Sequence, residues 1–136
     1  MNKQSLLLRK KVLVDSCVIV EFLRVKDKNS TILQRLADKN YQLYISIISH
    51  TELYAGKLIW ESAIAYKELE LVLSGMDILN LDKILSKNAG KIRSEYSLGI
   101  ADAIIASTAI FYKLELATLN TKDFEALNRE QKKKGL

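Results

Sequence analysis

Apolar residues along this chain switch repeatedly between a strand-like and a helix-like spacing. Val12-Leu13-Val14 is a short apolar strand that runs into Asp15-Ser16. Val18, Phe22 and Val25 then fall close to one helical stripe. Asn29-Ser30-Thr31 reads as a cap opening a helix through about Lys39, with Ile32, Leu33, Leu36 and Ala37 on one face. Tyr41 to Ser46 alternates as a second strand should. Ser49 is the expected cap of a helix that carries Glu52, Leu53 and Tyr54 and ends near Gly56. Glu61 to Leu73 predicts one long amphipathic helix closed by Ser74-Gly75, and Met76 to Leu81 a third strand. Asp82 to about Ser97 predicts a helix burying Ile84, Leu85, Ala89 and Ile92. A further helix runs from about Ala101 to Lys113, Leu116 to Leu119 forms a fourth strand, and Asp123 to Leu127 makes a short terminal helical turn.

Strands separated by helical segments predict an α/β fold, with a parallel sheet of four or five strands covered by helices on both faces. Open sheets of this kind bind ligands outside the carboxyl ends of their strands. Asp15 ends the first strand, and Asp123 lies just past the fourth. The 136 residues provide for one core, so residues 1–136 are expected to form a single domain. No internal repeat, low-complexity segment or linker interrupts them.

Composition narrows the class. The chain is 49% hydrophobic and 27% charged, with five Gly and no Pro, which excludes a disordered or fibrous protein. A single cysteine, Cys17, rules out an internal disulfide and favours a reducing compartment. No signal peptide is visible, and the longest apolar region, Ala103 to Tyr112, falls far short of a spanning helix. A cytoplasmic protein with no membrane partner is expected. The net charge of +5 is uneven: residues 1–11 carry +4, residues 128–136 carry +3, and the remainder is slightly acidic. Basic ends of this kind are ordinarily solvated tails, or they attract a polyanion such as RNA. The charge alone permits nucleic acid without establishing it.

Four carboxylates stand where an acid is costly. Asp15 closes an apolar strand. Glu52 follows the spacing Ile45, Ile48, Glu52, Ala55, and Asp102 opens the stripe Asp102, Ile105, Ala106, Ala109 on a nearly charge-free helix. An ionised carboxylate in such a place needs a partner. No Lys or Arg shares those stripes. Convergent acids without a cation repel one another, and a hard divalent ion with oxygen preference removes the conflict. Each acid also has a local reading. Asp15 and Asp123 can cap the helices after them, and Asp102 and Glu52 can favour the first turns of theirs.

Other chemistry is scarce. His50 is the single histidine, which excludes a two-histidine metal site. Cys17 has no histidine near it in sequence and reads as a small core residue. The glycines are too dispersed for a phosphate loop. Trp60 and the six tyrosines show no stacking motif for bases and read as core or interface residues. Arg24, Lys57, Arg93 and Lys122 are candidate phosphate contacts whose plainer reading is solvated surface charge.

Four blocks together resemble PIN-domain nucleases, in family order across about residues 12–127. Val12-Leu13-Val14-Asp15-Ser16-Cys17-Val18-Ile19 resembles the opening strand with its first acid. Ser46-Ile47-Ile48-Ser49-His50-Thr51-Glu52-Leu53-Tyr54-Ala55-Gly56 resembles the helix of the second acid. Ile100-Ala101-Asp102-Ala103-Ile104-Ile105-Ala106-Ser107-Thr108-Ala109 resembles the third, and Leu116-Ala117-Thr118-Leu119-Asn120-Thr121-Lys122-Asp123-Phe124 the closing motif. The compact size resembles VapC-type toxins of toxin–antitoxin pairs.

The resemblance implies an α/β/α sandwich, Mg²⁺- or Mn²⁺-dependent cleavage of RNA and a homodimer, with a surface expected around Asn29–Lys39 and Glu61–Leu73. It also implies neutralisation by a cognate antitoxin protein. By residue match, Asp15, Glu52 and Asp102 are the first three acids and Asp123 the fourth, with Asn120 standing where some relatives carry the last acid. Ser16 and Thr118 match small hydroxyl positions that support the site. The implied chemistry is attack on phosphorus by a water activated at one or two metal ions, with Glu52 as metal ligand or as the group that orients or deprotonates the water. Two other functions share the same residues: a non-catalytic PIN-like module that binds RNA or protein, and an rRNA-processing nuclease that is not a toxin.

Overall fold

Four short strands lie side by side, and all of their pairings are parallel. They are β1 (Lys11–Val14), β2 (Gln42–Ser46), β3 (Asp77–Leu79) and β4 (Glu115–Ala117), in the spatial order β3-β2-β1-β4. The structure, a computed structural model, describes residues 9–133; of the two basic terminal stretches, residues 1–8 and 134–136 lie outside it. Alternation along β1 sends Val12 and Val14 to one face and Leu13 to the other. Helices α1 (Ser16–Arg24), α2 (Ile32–Asp38) and α5 (Ala63–Leu73) cover the first face, burying Val18, Ile19, Leu33, Leu69 and Leu73 against it. Helices α6 (Lys83–Glu95), α7 (Ile100–Tyr112) and α8 (Thr121–Lys133) form the layer beyond the second face, where Ile105 and Ala109 meet Leu13. This is the expected α/β/α sandwich, with four strands.

The chain leaves β1 for β2 on one side and returns to β4 on the other. The reversal places a crevice outside the carboxyl ends of β1 and β4, where such sheets bind ligands.

Several elements differ from the sequence reading, each for a local reason. Ser46, not Ser49, caps α3 (Ile47–Tyr54): its side chain accepts from Ile48 N–H, while Ser49 is buried within the helix. The expected helix over Glu61–Leu73 divides into α4 (Lys57–Glu61) and α5 at Ser62, whose extended backbone ends one helix while its hydroxyl accepts from Ala65 N–H to open the next. Met76–Leu81 shortens to the three residues of β3 at the sheet edge. β4 stops at Ala117 because Leu119 N–H turns away to the Cys17 sulfur. The short terminal turn is instead the 13-residue α8, held by Phe124 and Leu127 three residues apart on its buried face. Residues 128–133, read as a solvated tail, are therefore helical. Ala37 and Ile84 are exposed, because α2 and α6 bury narrower stripes than their apolar residues suggest, and Val25 sits at the α1 C-cap rather than on its buried side.

Candidate active site

Asp15 is the fixed point of the crevice, with only 3% of its surface exposed. Its backbone N–H donates to Ala117 O at 2.9 Å, which joins the end of β1 to the end of β4. Both carboxylate oxygens are engaged. Oδ1 accepts Ser16 N–H at 2.8 Å and caps α1, and Oδ2 accepts the Thr118 hydroxyl at 2.7 Å. The capping reading of Asp15 and its role in a site are thus compatible, since one oxygen does each. Cys17 Sγ lies 3.5 Å from Oδ2 and 3.6 Å from Thr118 Oγ1, and accepts Leu119 N–H at 3.3 Å. Cys17 packs against the core as its sequence context predicts, and its position in the first turn after Asp15 also sets it beside the site.

The other acids approach from three further elements. Glu52 projects from α3 and is more exposed than its apolar spacing predicted, because Ile48 and Leu53 take the buried directions of that short helix. Ser16 Oγ donates to Glu52 Oε1 in a long contact of 3.5 Å. Asp102 stands half-buried in the first turn of α7, after Gly99, a cap position with no side chain to satisfy the helix end. Asp123 lies exposed in the first turn of α8. Asn120 N–H donates to Thr118 Oγ1 at 3.0 Å, and Asn120 O accepts Asp123 N–H at 3.1 Å, so the Asn120 backbone joins the β4 end to the α8 start.

Electrostatics ties these groups together. Burial raises the Glu52 carboxyl above its ordinary value, and the charges of Asp15 and Asp102 raise it further against the Ser16 hydrogen bond. Burial likewise raises Asp102, reinforced by Asp15 and Asp123. Glu52 and Asp102 therefore each feel the charge of at least two other acids of the crevice. Among the described residues, no Lys or Arg forms an ion pair with any of them. Arg93, a candidate phosphate contact, directs a guanidinium nitrogen to Leu98 O in the α6–α7 connection.

The donor chemistry fits a hard divalent cation: four carboxylates, with no positive side chain paired to them among the described residues. As placed, no three His, Cys, Asp or Glu side chains among the described residues converge on one point closely enough to hold a metal.

Comparison with known proteins bears on the family and the fold. Residues 12–130 match the family model of the PIN domain. Ribonuclease VapC10 of Mycobacterium tuberculosis is 31% identical over 120 residues, covering 83% of this chain and 85% of that protein. Among solved structures, a toxin–antitoxin complex from Klebsiella pneumoniae is similar at 28% identity and TM-score 0.68, covering 83% of this chain and 89% of that chain. VapBC2 from Rickettsia felis, bound to a promoter DNA fragment, is similar at 25% identity and TM-score 0.68, covering 85% and 92%. With four acids at the carboxyl edge of a β3-β2-β1-β4 parallel sheet and a match over nearly the whole described chain, this protein belongs to the PIN domain family.

Proposed function

We propose that this protein is a Mg²⁺- or Mn²⁺-dependent endoribonuclease that acts as the VapC-type toxin of a toxin–antitoxin pair. The observation that carries the reading is the mutual repulsion of Glu52, Asp102 and their acidic neighbours, uncompensated by any cationic side chain among the described residues. Its support from relatives is the resemblance to Ribonuclease VapC10 and to solved toxin–antitoxin complexes. Asp15, Asp102 and Asp123 are the proposed metal ligands, with Glu52 beside them and Asn120 supporting the turn that carries Asp123. When bound, the metal supplies Lewis-acid chemistry, activating water and offsetting charge on the scissile phosphate.

The protein's own groups do the rest. Thr118 and the Ser16 N–H fix the Asp15 carboxylate in one orientation. Glu52 takes and releases a proton at a carboxylate whose raised proton affinity suits a general base, and Ser16 Oγ orients it. The RNA substrate lies along the crevice outside β1 and β4, and the proposed partners are a cognate antitoxin and a second copy in a homodimer. The proposed setting is the cytoplasm; among the described residues no helix is long and apolar enough to cross a membrane.

Purified protein should cut RNA with Mg²⁺ or Mn²⁺ and stop when EDTA is added. Asp15→Asn and Asp102→Asn should fold and not cut; full cleavage by either variant would remove the proposed site. Induction of the wild type, but not of Asp102→Asn, should arrest bacterial growth, and normal growth with intact RNA would remove the toxin role.

A further inference from the structure

Away from the carboxylate crevice, α3, α4 and α5 gather four aromatic rings around one acid. His50 and Tyr54 have ring centroids 4.9 Å apart, Tyr54 and Trp60 6.0 Å, Trp60 and Tyr66 5.9 Å. Trp60 Nε1 donates to Tyr54 O at 2.7 Å, which fixes the indole over the end of α3. The Tyr54 hydroxyl donates to Glu70 Oε1 at 2.6 Å, and the Tyr66 hydroxyl lies beside the same carboxylate. These two hydroxyls hold the Glu70 carboxyl below its ordinary value, so it is charged at neutral pH.

Two features separate this cluster from ordinary surface packing. Trp60 is 67% exposed and Tyr66 38%, so the rings present apolar faces to solvent rather than to the core. Glu70 is exposed on α5, and among the described residues no Lys or Arg pairs with it, while His50 on α3 is a basic group whose charge acts on it. A carboxylate offers about four acceptor positions, and the Tyr54 hydroxyl takes one of them. Aromatic faces carry negative charge density and attract cations, and a fixed carboxylate beside them adds to that attraction. The same carboxylate repels a polyanion, which sets this surface apart from a base-stacking platform.

We propose that Tyr54, Trp60, Tyr66 and Glu70 form a docking site for a cationic side chain, arginine above all, presented by a protein partner. The guanidinium plane stacks on Trp60 and pairs with the free edge of the Glu70 carboxylate. The four residues are distinct from the four crevice acids, and their occupancy does not depend on whether those acids cleave RNA.

Trp60 is the single tryptophan of the chain, so its fluorescence reports this surface alone. The full chain is titrated with a short acetylated and amidated peptide bearing one central arginine, and with the same peptide bearing citrulline, its neutral isostere. The arginine peptide should give a saturable change, with the citrulline peptide binding at least about fivefold more weakly. Glu70→Gln should weaken the arginine peptide by a similar factor without altering far-ultraviolet circular dichroism. Trp60→Leu, followed by calorimetry, should do the same. Equal binding of both peptides, or undiminished binding by Glu70→Gln, overturns the proposal. A fluorescence change with poly(U) and none with the arginine peptide assigns the surface to RNA and also overturns it. A concentration-dependent dimer lost in Glu70→Gln, without a peptide response, assigns it to a second copy with the same consequence.

Discussion

Thr118 donates its hydroxyl to Asp15 Oδ2 at 2.7 Å across 103 residues of sequence. The bond closes the point where the strand order reverses, because Asp15 leaves β1 and Thr118 leaves β4. Thr118 Oγ1 also accepts Asn120 N–H, and Cys17 Sγ accepts Leu119 N–H, so the turn toward Asp123 is clamped to the N-terminus of α1. Asp15, the most deeply buried of the four acids, is thereby linked to Asp123, the last of them in the chain.

Thr118→Val keeps the shape of this side chain and removes the donor. A hydrogen bond to a charged group is worth about 1.5–3 kcal/mol, and removing such supporting partners lowers metal affinity or activity about 10–100-fold. RNA cleavage by the valine variant at limiting Mn²⁺ should fall within that range, and Thr118→Ser should recover most of it. A Mn²⁺ titration of cleavage is the check, and a valine curve superimposed on wild type would contradict the clamp.

Asp102→Asn should abolish cleavage while leaving the metal-free protein at least as stable. The Asp102 carboxyl is raised in the folded chain above its ordinary 3.8, by burial first and then by Asp15 and Asp123. The folded state therefore binds a proton more readily than the unfolded state. Stability of the metal-free wild type is full below the unfolded value and declines as pH rises through the folded one. Urea melts in EDTA should show Asp102→Asn gaining on wild type near about pH 7, with the gap closing toward about pH 4. A variant less stable than wild type at neutral pH would mean that Asp102 makes a structural contact instead.

The topology was legible because its signals are strong and local: an apolar β1 that stops at Asp15, an α7 whose one charged residue is Asp102, and the turn residues between them. Element ends were less so. The division at Ser62 depends on one hydroxyl reaching Ala65 N–H, and the length of α8 depends on Phe124 and Leu127 finding the α7 layer, which no periodicity in a polar helix announces. At the crevice, Asp15 and Asp102 could be picked from their placement, whereas Asp123 sits in a polar stretch and needed the resemblance. The place of Cys17 between two strand ends is a long-range relation, invisible until β4 returns beside β1.

Ser46 and Ser49 offer a direct test of the cap assignment on the helix that carries Glu52. Ser46 Oγ accepts Ile48 N–H at 3.2 Å, and losing such a cap costs about 1 kcal/mol. Ser49 Oγ is fully buried and has no hydrogen-bond partner among the described residues. Ser46→Ala should lower stability by about that amount, and Ser49→Ala should leave it unchanged or raise it, since a buried hydroxyl without a partner is unfavourable. Denaturant midpoints compare the two, and a larger loss for Ser49→Ala would reverse the assignment.

Metal uptake should compete with protons at the same carboxylates. Burial and the neighbouring acids raise both Glu52 and Asp102 above their ordinary values of 4.5 and 3.8. A divalent ion needs these groups deprotonated, so its apparent affinity must fall as pH drops through their raised values. The concentration of Mn²⁺ that half-saturates cleavage should therefore increase steadily from about pH 7 to about pH 5. Glu52→Gln removes one competing proton site, and its Mn²⁺ binding, read by calorimetry, should depend less steeply on pH than that of wild type. Added Mn²⁺ should also raise the melting temperature of wild type and leave Asp15→Asn nearly unmoved, because a ligand stabilises only the state that binds it. Affinity independent of pH across this interval, or equal thermal shifts in the two proteins, would place the ion away from these acids.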